Sequence, residues 1–192
     1  MNREDYVRAV IERQDEAEAL RIILGAARAL ERGGADFIVI ACNDVHRFVP
    51  TLEHEVNLPF LHIVDTTAAA IVESGLDTVG LLGVRKTMEL DFYPERLSAR
   101  GIATLVPDEP DRSRVHESIY EELVHDVFTD RTRARYIEII ERLVDRGARG
   151  IVLGCTEIPL LLSSSDVDVP LFSTTELHCR AAVARAIDRP DS

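Results

Sequence analysis

The spacing of apolar positions along this chain switches repeatedly between two periods. Between residues 6 and 32, Leu20, Ile23, Leu24, Ala27 and Leu30 recur every three to four positions, the period of a helix. Gly33-Gly34 stops it. Phe37-Ile38-Val39-Ile40-Ala41 is a continuous apolar run of strand length, as expected of a strand buried on both faces. A helix is predicted over residues 46–56 and a short strand over 59–63. Asp65-Thr66-Thr67 then offers an N-cap for a helix over 68–73, which Gly75 closes.

The alternation continues. Strands are predicted at residues 78–83, 103–106, 150–154 and 170–172. Helices are predicted over 87–100, opened or interrupted near Pro94, over 111–146 with a break at Thr129-Asp130-Arg131, and over 174–187. Ser163-Ser164-Ser165-Asp166 reads as a polar loop. Strands alternating with helices define an α/β protein with mostly parallel sheet, whose ligands belong beyond the C-terminal ends of the strands.

A weak internal repeat sharpens this. Gly34-Ala35-Asp36-Phe37-Ile38-Val39-Ile40-Ala41-Cys42-Asn43-Asp44-Val45 aligns with Gly147-Ala148-Arg149-Gly150-Ile151-Val152-Leu153-Gly154-Cys155-Thr156-Glu157-Ile158. Each copy ends an apolar run with a cysteine, a small polar residue and an acid. Each is followed by a proline-containing strand and a Thr-Thr helix start, Pro59 with Thr66-Thr67 and Pro170 with Thr174-Thr175. Two pseudo-symmetric lobes are expected, each a mostly parallel sheet flanked by helices, with the active site in the cleft between them. Their bounds are residues 1–75 plus 172–192 and residues 76–171. Cys42 and Cys155 then sit at equivalent strand-to-helix junctions, where helix amides and dipole favour a thiolate.

Composition narrows the chemistry. The 192 residues are 46% hydrophobic and 29% charged, which supports a packed core rather than disorder. Acids outnumber bases 34 to 22, a net charge of −12, so no nucleic-acid partner is expected. No apolar run is long enough to cross a bilayer and Met1-Asn2-Arg3-Glu4-Asp5 carries no signal core, so no membrane association and a cytoplasmic location are expected. Three scattered cysteines form neither a disulfide framework nor a zinc pattern, and no metal is expected. Cys179, in the last helix, is assigned no role.

Two opposed thiols suit inversion of a carbon next to a carboxylate. One takes a proton from one face as thiolate, and the other returns a proton to the opposite face as thiol. Donors must meet the charge that develops on the carboxylate, and Asn43, Thr156 and the amides after each cysteine are candidates. Ala41-Cys42-Asn43-Asp44-Val45-His46 resembles the first active-site motif of the aspartate/glutamate racemases, and Gly154-Cys155-Thr156-Glu157-Ile158 resembles the second very closely. Residues 59–65, 83–93 and 119–123 also look like this family, nearest its aspartate racemase branch. The resemblance spans essentially the whole chain. It implies a cofactor-independent racemase of aspartate or glutamate, dimeric, acting on a small-molecule amino acid. It implies Cys42 and Cys155 as the acid/base pair, with Asn43, Thr87 and Thr156 near the substrate.

Three departures from the family pattern stand out. The family opens with a Gly-rich strand, a helix and a second strand, whereas this chain opens on a helix, so that segment is expected to be lacking. Asp44 stands where the family has Thr, and raises the neighbouring thiol. Val84 replaces a frequent Thr. Asp44, Glu157 and His46 join the candidates for substrate contact or thiol tuning, with His178, Arg85 and Lys86 behind them. Lys86 is the chain's single lysine, so a pyridoxal Schiff base has one possible anchor. The rival expectations are a related cysteine-dependent isomerase, decarboxylase or hydantoin racemase, and a truncated, non-catalytic paralogue.

Overall fold

The computed structural model describes residue 9 and residues 15–188. The beginning of the helix expected from residue 6 lies outside them. The described residues divide into two compact units. One comprises those up to Val39 with Arg47–Leu61, the other Ile40–His46 with the residues from His62 onward. The lobes drawn from the repeat divide the chain elsewhere. Residues 63–73 fall with the larger unit because their helix buries its apolar face against the last strand and last helix of the chain.

In the smaller unit, α1 (Glu16–Arg32) starts at Asp15, whose carboxylate accepts the Glu18 N–H at 3.0 Å. It buries Ala19, Ile23 and Ala27, one residue per turn. β1 (Ile38–Val39) pairs in parallel with β2 (Phe60–Leu61). The two-faced burial expected of β1 is not met, since Val39 is 41% exposed in this two-stranded sheet. The single helix expected over 46–56 is a 3₁₀ turn (Asp44–Phe48) followed by the one-turn α2 (Val49–Leu52). Pro50 lacks an N–H and is tolerated only in the first turn of an α-helix, so regular helix cannot extend upstream of Val49.

The larger unit holds a parallel sheet of order β4-β3-β5-β6, made of Ala103–Leu105, Thr78–Gly83, Ile151–Gly154 and Leu171–Ser173. Between the strands run α3 (Ile63–Glu73), α4 (Arg85–Glu89), α5 (Phe92–Ser98), α6 (Asp111–Glu121), α7 (Asp130–Asp145) and α8 (Ile158–Leu161), and α9 (Thr174–Ile187) closes the unit. Successive strand residues face opposite sides. Leu82, Ile151 and Leu153 join a core with Val115, Ile119, Tyr136, Ile139, Ile140 and Leu143 of α6 and α7. Val79, Leu81, Val152 and Phe172 join a second core with α3 and with Tyr93 and Leu97 of α5. Apolar cores thus cover both faces of this parallel sheet.

Helix boundaries differ in two instructive places. α3 begins before Asp65-Thr66-Thr67. Its cap is His62, whose Nδ1 accepts the Val64 N–H at 3.2 Å. The helix expected over 87–100 is two helices parted at Leu90, which is extended, and Pro94 sits in the first turn of the second. The break at 129 is as expected, with Thr129 accepting the Thr132 N–H at 3.1 Å.

Candidate active site

Cys155 follows the last residue of β5 directly, at the C-terminal end of the sheet. The backbone there is tightly packed. Gly83 and Gly154 pair across β3 and β5. A methyl on Gly154 would come within 2.9 Å of the Leu82 carbonyl oxygen and 3.2 Å of the Thr87 Cγ2. One on Gly83 would meet the Gly154 carbonyl oxygen at 2.9 Å. Glycine at both positions lets α4 press Thr87 onto the strand ends beneath Cys155. Thr87 is fully buried, and its hydroxyl has no hydrogen-bond partner among the described residues.

Cys155 donates its thiol hydrogen to Glu157 Oε2 at 3.0 Å, and Thr156 Oγ1 donates to the same oxygen at 2.6 Å. Burial pushes the Cys155 thiol well above its ordinary range. The Glu157 carboxylate adds to this by charge and by accepting the proton, and nearby Cys42 raises it further, against only the Glu157 N–H. Cys42 is also raised, by burial first and then by the Asp44 and Glu157 carboxylates. The N–H groups of Val45 and Asp44 pull the other way. The lowering expected from the helix starts is therefore outweighed. The amides after each cysteine are spent on sulfur. Each cysteine is half-buried and free, and each lies within electrostatic reach of the other.

Asn43, Asp44, His46 and Thr87 are buried, whereas Thr156 and Glu157 are partly open. All of these residues and both cysteines belong to the larger unit. Asn43 is clamped at both ends of its amide. Nδ2 donates to Thr174 Oγ1 at 2.9 Å, and Oδ1 accepts from the Tyr93 hydroxyl at 3.3 Å. Its second amide hydrogen is left for another acceptor. His46 has no exposed surface, and its Nδ1–H meets the Cys42 carbonyl at 2.8 Å. This bond ties its imidazole to the backbone of Cys42. Arg85 is engaged by Glu89, Glu109 and Ser113.

Three buried imidazoles lie behind the Cys42 turn. His46 meets His62 edge-on at 4.7 Å and His178 at 5.5 Å between ring centres. Burial, with lesser help from His46, Arg96 and His178, pushes His62 down to about 2. Burial lowers His178 as well. Below the usual pKa of 6.5 the unfolded chain binds a proton at residue 62 that the folded protein refuses until about pH 2. Stability is thus whole above pH 6.5 and falls by about 1.4 kcal/mol per unit as pH drops. From pH 6.5 to 5.0 the loss is about 2 kcal/mol from His62 alone. Urea midpoints at the two pH values measure it. His62→Asn, which keeps an acceptor for the Val64 N–H, should flatten the difference, and equal wild-type midpoints would refute it.

Sequence reasoning missed Thr174, Tyr93 and His62 as parts of this site. Thr174 carried a signal in the Thr-Thr helix start of the second repeat, and His62 and Tyr93 lie in the stretches 59–65 and 83–93 that resemble the family, though no motif singled them out. What brings His62 and Tyr93 to the site is tertiary packing. Among the described residues, no group of three or more His, Cys, Asp or Glu is placed to hold a metal ion, and no helix is long and apolar enough to cross a membrane.

A family model described as Asp/Glu/hydantoin racemase matches residues 1–182. Among solved structures, a putative Asp/Glu racemase from Yersinia pestis is 39% identical, with a TM-score of 0.86 over 95% of this chain and 80% of that one. An aspartate racemase homologue from Pyrococcus horikoshii OT3 is 32% identical, with a TM-score of 0.81 over 93% of this chain and 79% of that one. An aspartate racemase from Picrophilus torridus is 27% identical, with a TM-score of 0.74 over 97% of this chain and 77% of that one.

Proposed function

Since the chain belongs to the Asp/Glu/hydantoin racemase family, we propose that it inverts the α-carbon of an acidic amino acid, aspartate first, by proton transfer between two thiols. The observation that carries this reading is the placement of two free, half-buried cysteines with unlike partners in one compact unit. Cys42 receives backbone N–H groups, and Cys155 holds its proton against Glu157. Cys42 as thiolate takes the Cα hydrogen, leaving its electron pair delocalised into the carboxylate. The Cys155 thiol delivers its own proton to the opposite face. Cys42 ends as thiol and Cys155 as thiolate, and the reverse reaction restores them. The remaining Asn43 amide hydrogen, held in direction by Thr174 and Tyr93, is the donor proposed for the enolate-like oxygen. Glu157 sets the resting proton on Cys155. A homodimer and a cytoplasmic location accompany this proposal.

One feature favours a second substrate class. The Glu157 carboxylate raises both thiols and Asp44 raises Cys42, so the site's own charge opposes the second carboxylate of an acidic amino acid. A neutral hydantoin avoids that repulsion. Incubation in heavy water with L-aspartate, L-glutamate or a 5-substituted hydantoin distinguishes the readings by NMR. Deuterium at Cα with concurrent loss of optical rotation for aspartate supports the first. Exchange confined to the hydantoin supports the second, and no exchange with any of the three rejects two-thiol racemisation.

A further inference from the structure

The side chain of Thr174 is fully buried and spans two segments that are remote in sequence. Its hydroxyl accepts the Asn43 Nδ2 hydrogen at 2.9 Å and donates its own to the Leu153 carbonyl at 2.9 Å. Asn43 is the residue after Cys42, and Leu153 lies two before Cys155. The Tyr93 hydroxyl completes the line by donating to Asn43 Oδ1. Every hydrogen bond in Tyr93–Asn43–Thr174–Leu153 therefore runs in one direction. The link at Thr174 needs a group that donates and accepts at one atom, which a hydroxyl does and a methyl does not.

The helix does not need this hydroxyl. Ser173 is the N-cap of α9, with its Oγ accepting the Glu176 N–H, so Thr174 is free of the capping duty its position would invite. Its bonds lead away from the helix, one to the Cys42 turn and one to the strand that carries Cys155.

We propose that Thr174 is a positioning residue whose hydroxyl fixes the Cys42 turn relative to the end of β5, and so sets the registration of the two sulfurs. The proposal rests on the two-thiol reading for its catalytic consequence, though not for its structural content. A proton transfer across two faces of one carbon is sensitive to placement, since shifts near 1 Å cost on the order of a hundredfold in rate. Thr174 touches neither sulfur, so its effect must pass through Asn43 and Leu153.

The test compares Thr174→Val, which keeps the shape and removes the hydroxyl, with Thr174→Ser, which keeps the hydroxyl. Two readouts are taken on the full chain. One is the rate at which iodoacetamide alkylates Cys42 and Cys155, resolved by peptide mass mapping. The other is kcat and KM for racemisation of whichever substrate exchanges. Thr174→Val should alter Cys42 alkylation by about fivefold or more and lower kcat on the order of tenfold, with KM nearly unmoved. Thr174→Ser should return both to within about twofold of the parent. Wild-type alkylation and kcat in Thr174→Val, with only a lower melting temperature, would overturn the proposal. If Thr174→Val does not fold, Tyr93→Phe loosens Asn43 from its other end and should shift alkylation in the same sense. Wild-type alkylation in that variant would also overturn it. Should the parent protein exchange no substrate, the racemase reading fails, and the alkylation rates still decide the role of Thr174.

Discussion

A Cys155→Ser variant should fold normally and lose racemisation by at least about a hundredfold, toward the ten-thousandfold upper range of acid–base catalysis. Serine fits the half-buried position and can donate to Glu157 as the thiol does at 3.0 Å, so the local structure has no reason to change. Its hydroxyl is too weak an acid to take the cysteine's place in a proton relay near neutral pH. Cys42→Ser should fail to the same degree, because removal of either sulfur leaves one face of the carbon without a partner. Cys179 is exposed and on α9, so Cys179→Ser serves as the silent control. Undiminished turnover in the Cys155 variant would end the two-thiol account. Optical rotation of aspartate over time is the direct measurement, and circular dichroism confirms that the variants are folded.

The second large effect is on pH. Both thiols are raised above their ordinary range, Cys155 the more strongly, so at neutral pH both carry protons in most molecules. The mechanism needs one sulfur ionised and one protonated. Below the first ionisation of the pair, kcat/KM should climb about tenfold per pH unit, and it should fall once the second proton is lost. Cys42 is the less perturbed, so its ionisation contributes most to the rising limb. Glu157→Gln removes the negative charge that raises both sulfurs and the carboxylate that accepts the Cys155 proton. Both limbs should then move to lower pH, the falling limb further, because Cys155 loses two upward influences and Cys42 one. A profile that stays in place in Glu157→Gln would show that this carboxylate does not govern the thiols.

Much of this was legible in the sequence because periodicity reports burial. The run 150–154 reads as a buried strand, and β5 is one, flanked on both faces by apolar cores. The equivalent run at 37–41 reads the same way and yields only a two-residue strand, since hydropathy records what a residue prefers and not how many neighbouring strands are present. The cysteines and the residues beside them were found from the repeat. Their proton affinities were not, because burial and the reach of Glu157 to sulfur are tertiary facts. The sequence shows the helix start and the Asp44 carboxylate beside Cys42, but not burial, which is the largest influence on both thiols. His62 was invisible as a cap for a related reason. Ser, Thr, Asp and Asn dominate that role, and Asp65-Thr66-Thr67 stood close by. The four-residue spacing from Cys42 to His46 puts the two near each other, but that the ring reaches the Cys42 carbonyl is visible only in the structure.

The order of strands bears on how such a site comes into being. Gly80 lies beside Ile151, and the link from Asn43 to Thr174 joins positions 131 residues apart. Contacts between segments so distant along the chain form slowly, because a long loop must close before they repay its entropy. Cys155 is thus synthesised before the helix that helps hold it in line. A chain interrupted ahead of α9 would retain both sulfurs yet lack the Thr174 link between their segments, so that link can close only once the chain is nearly complete.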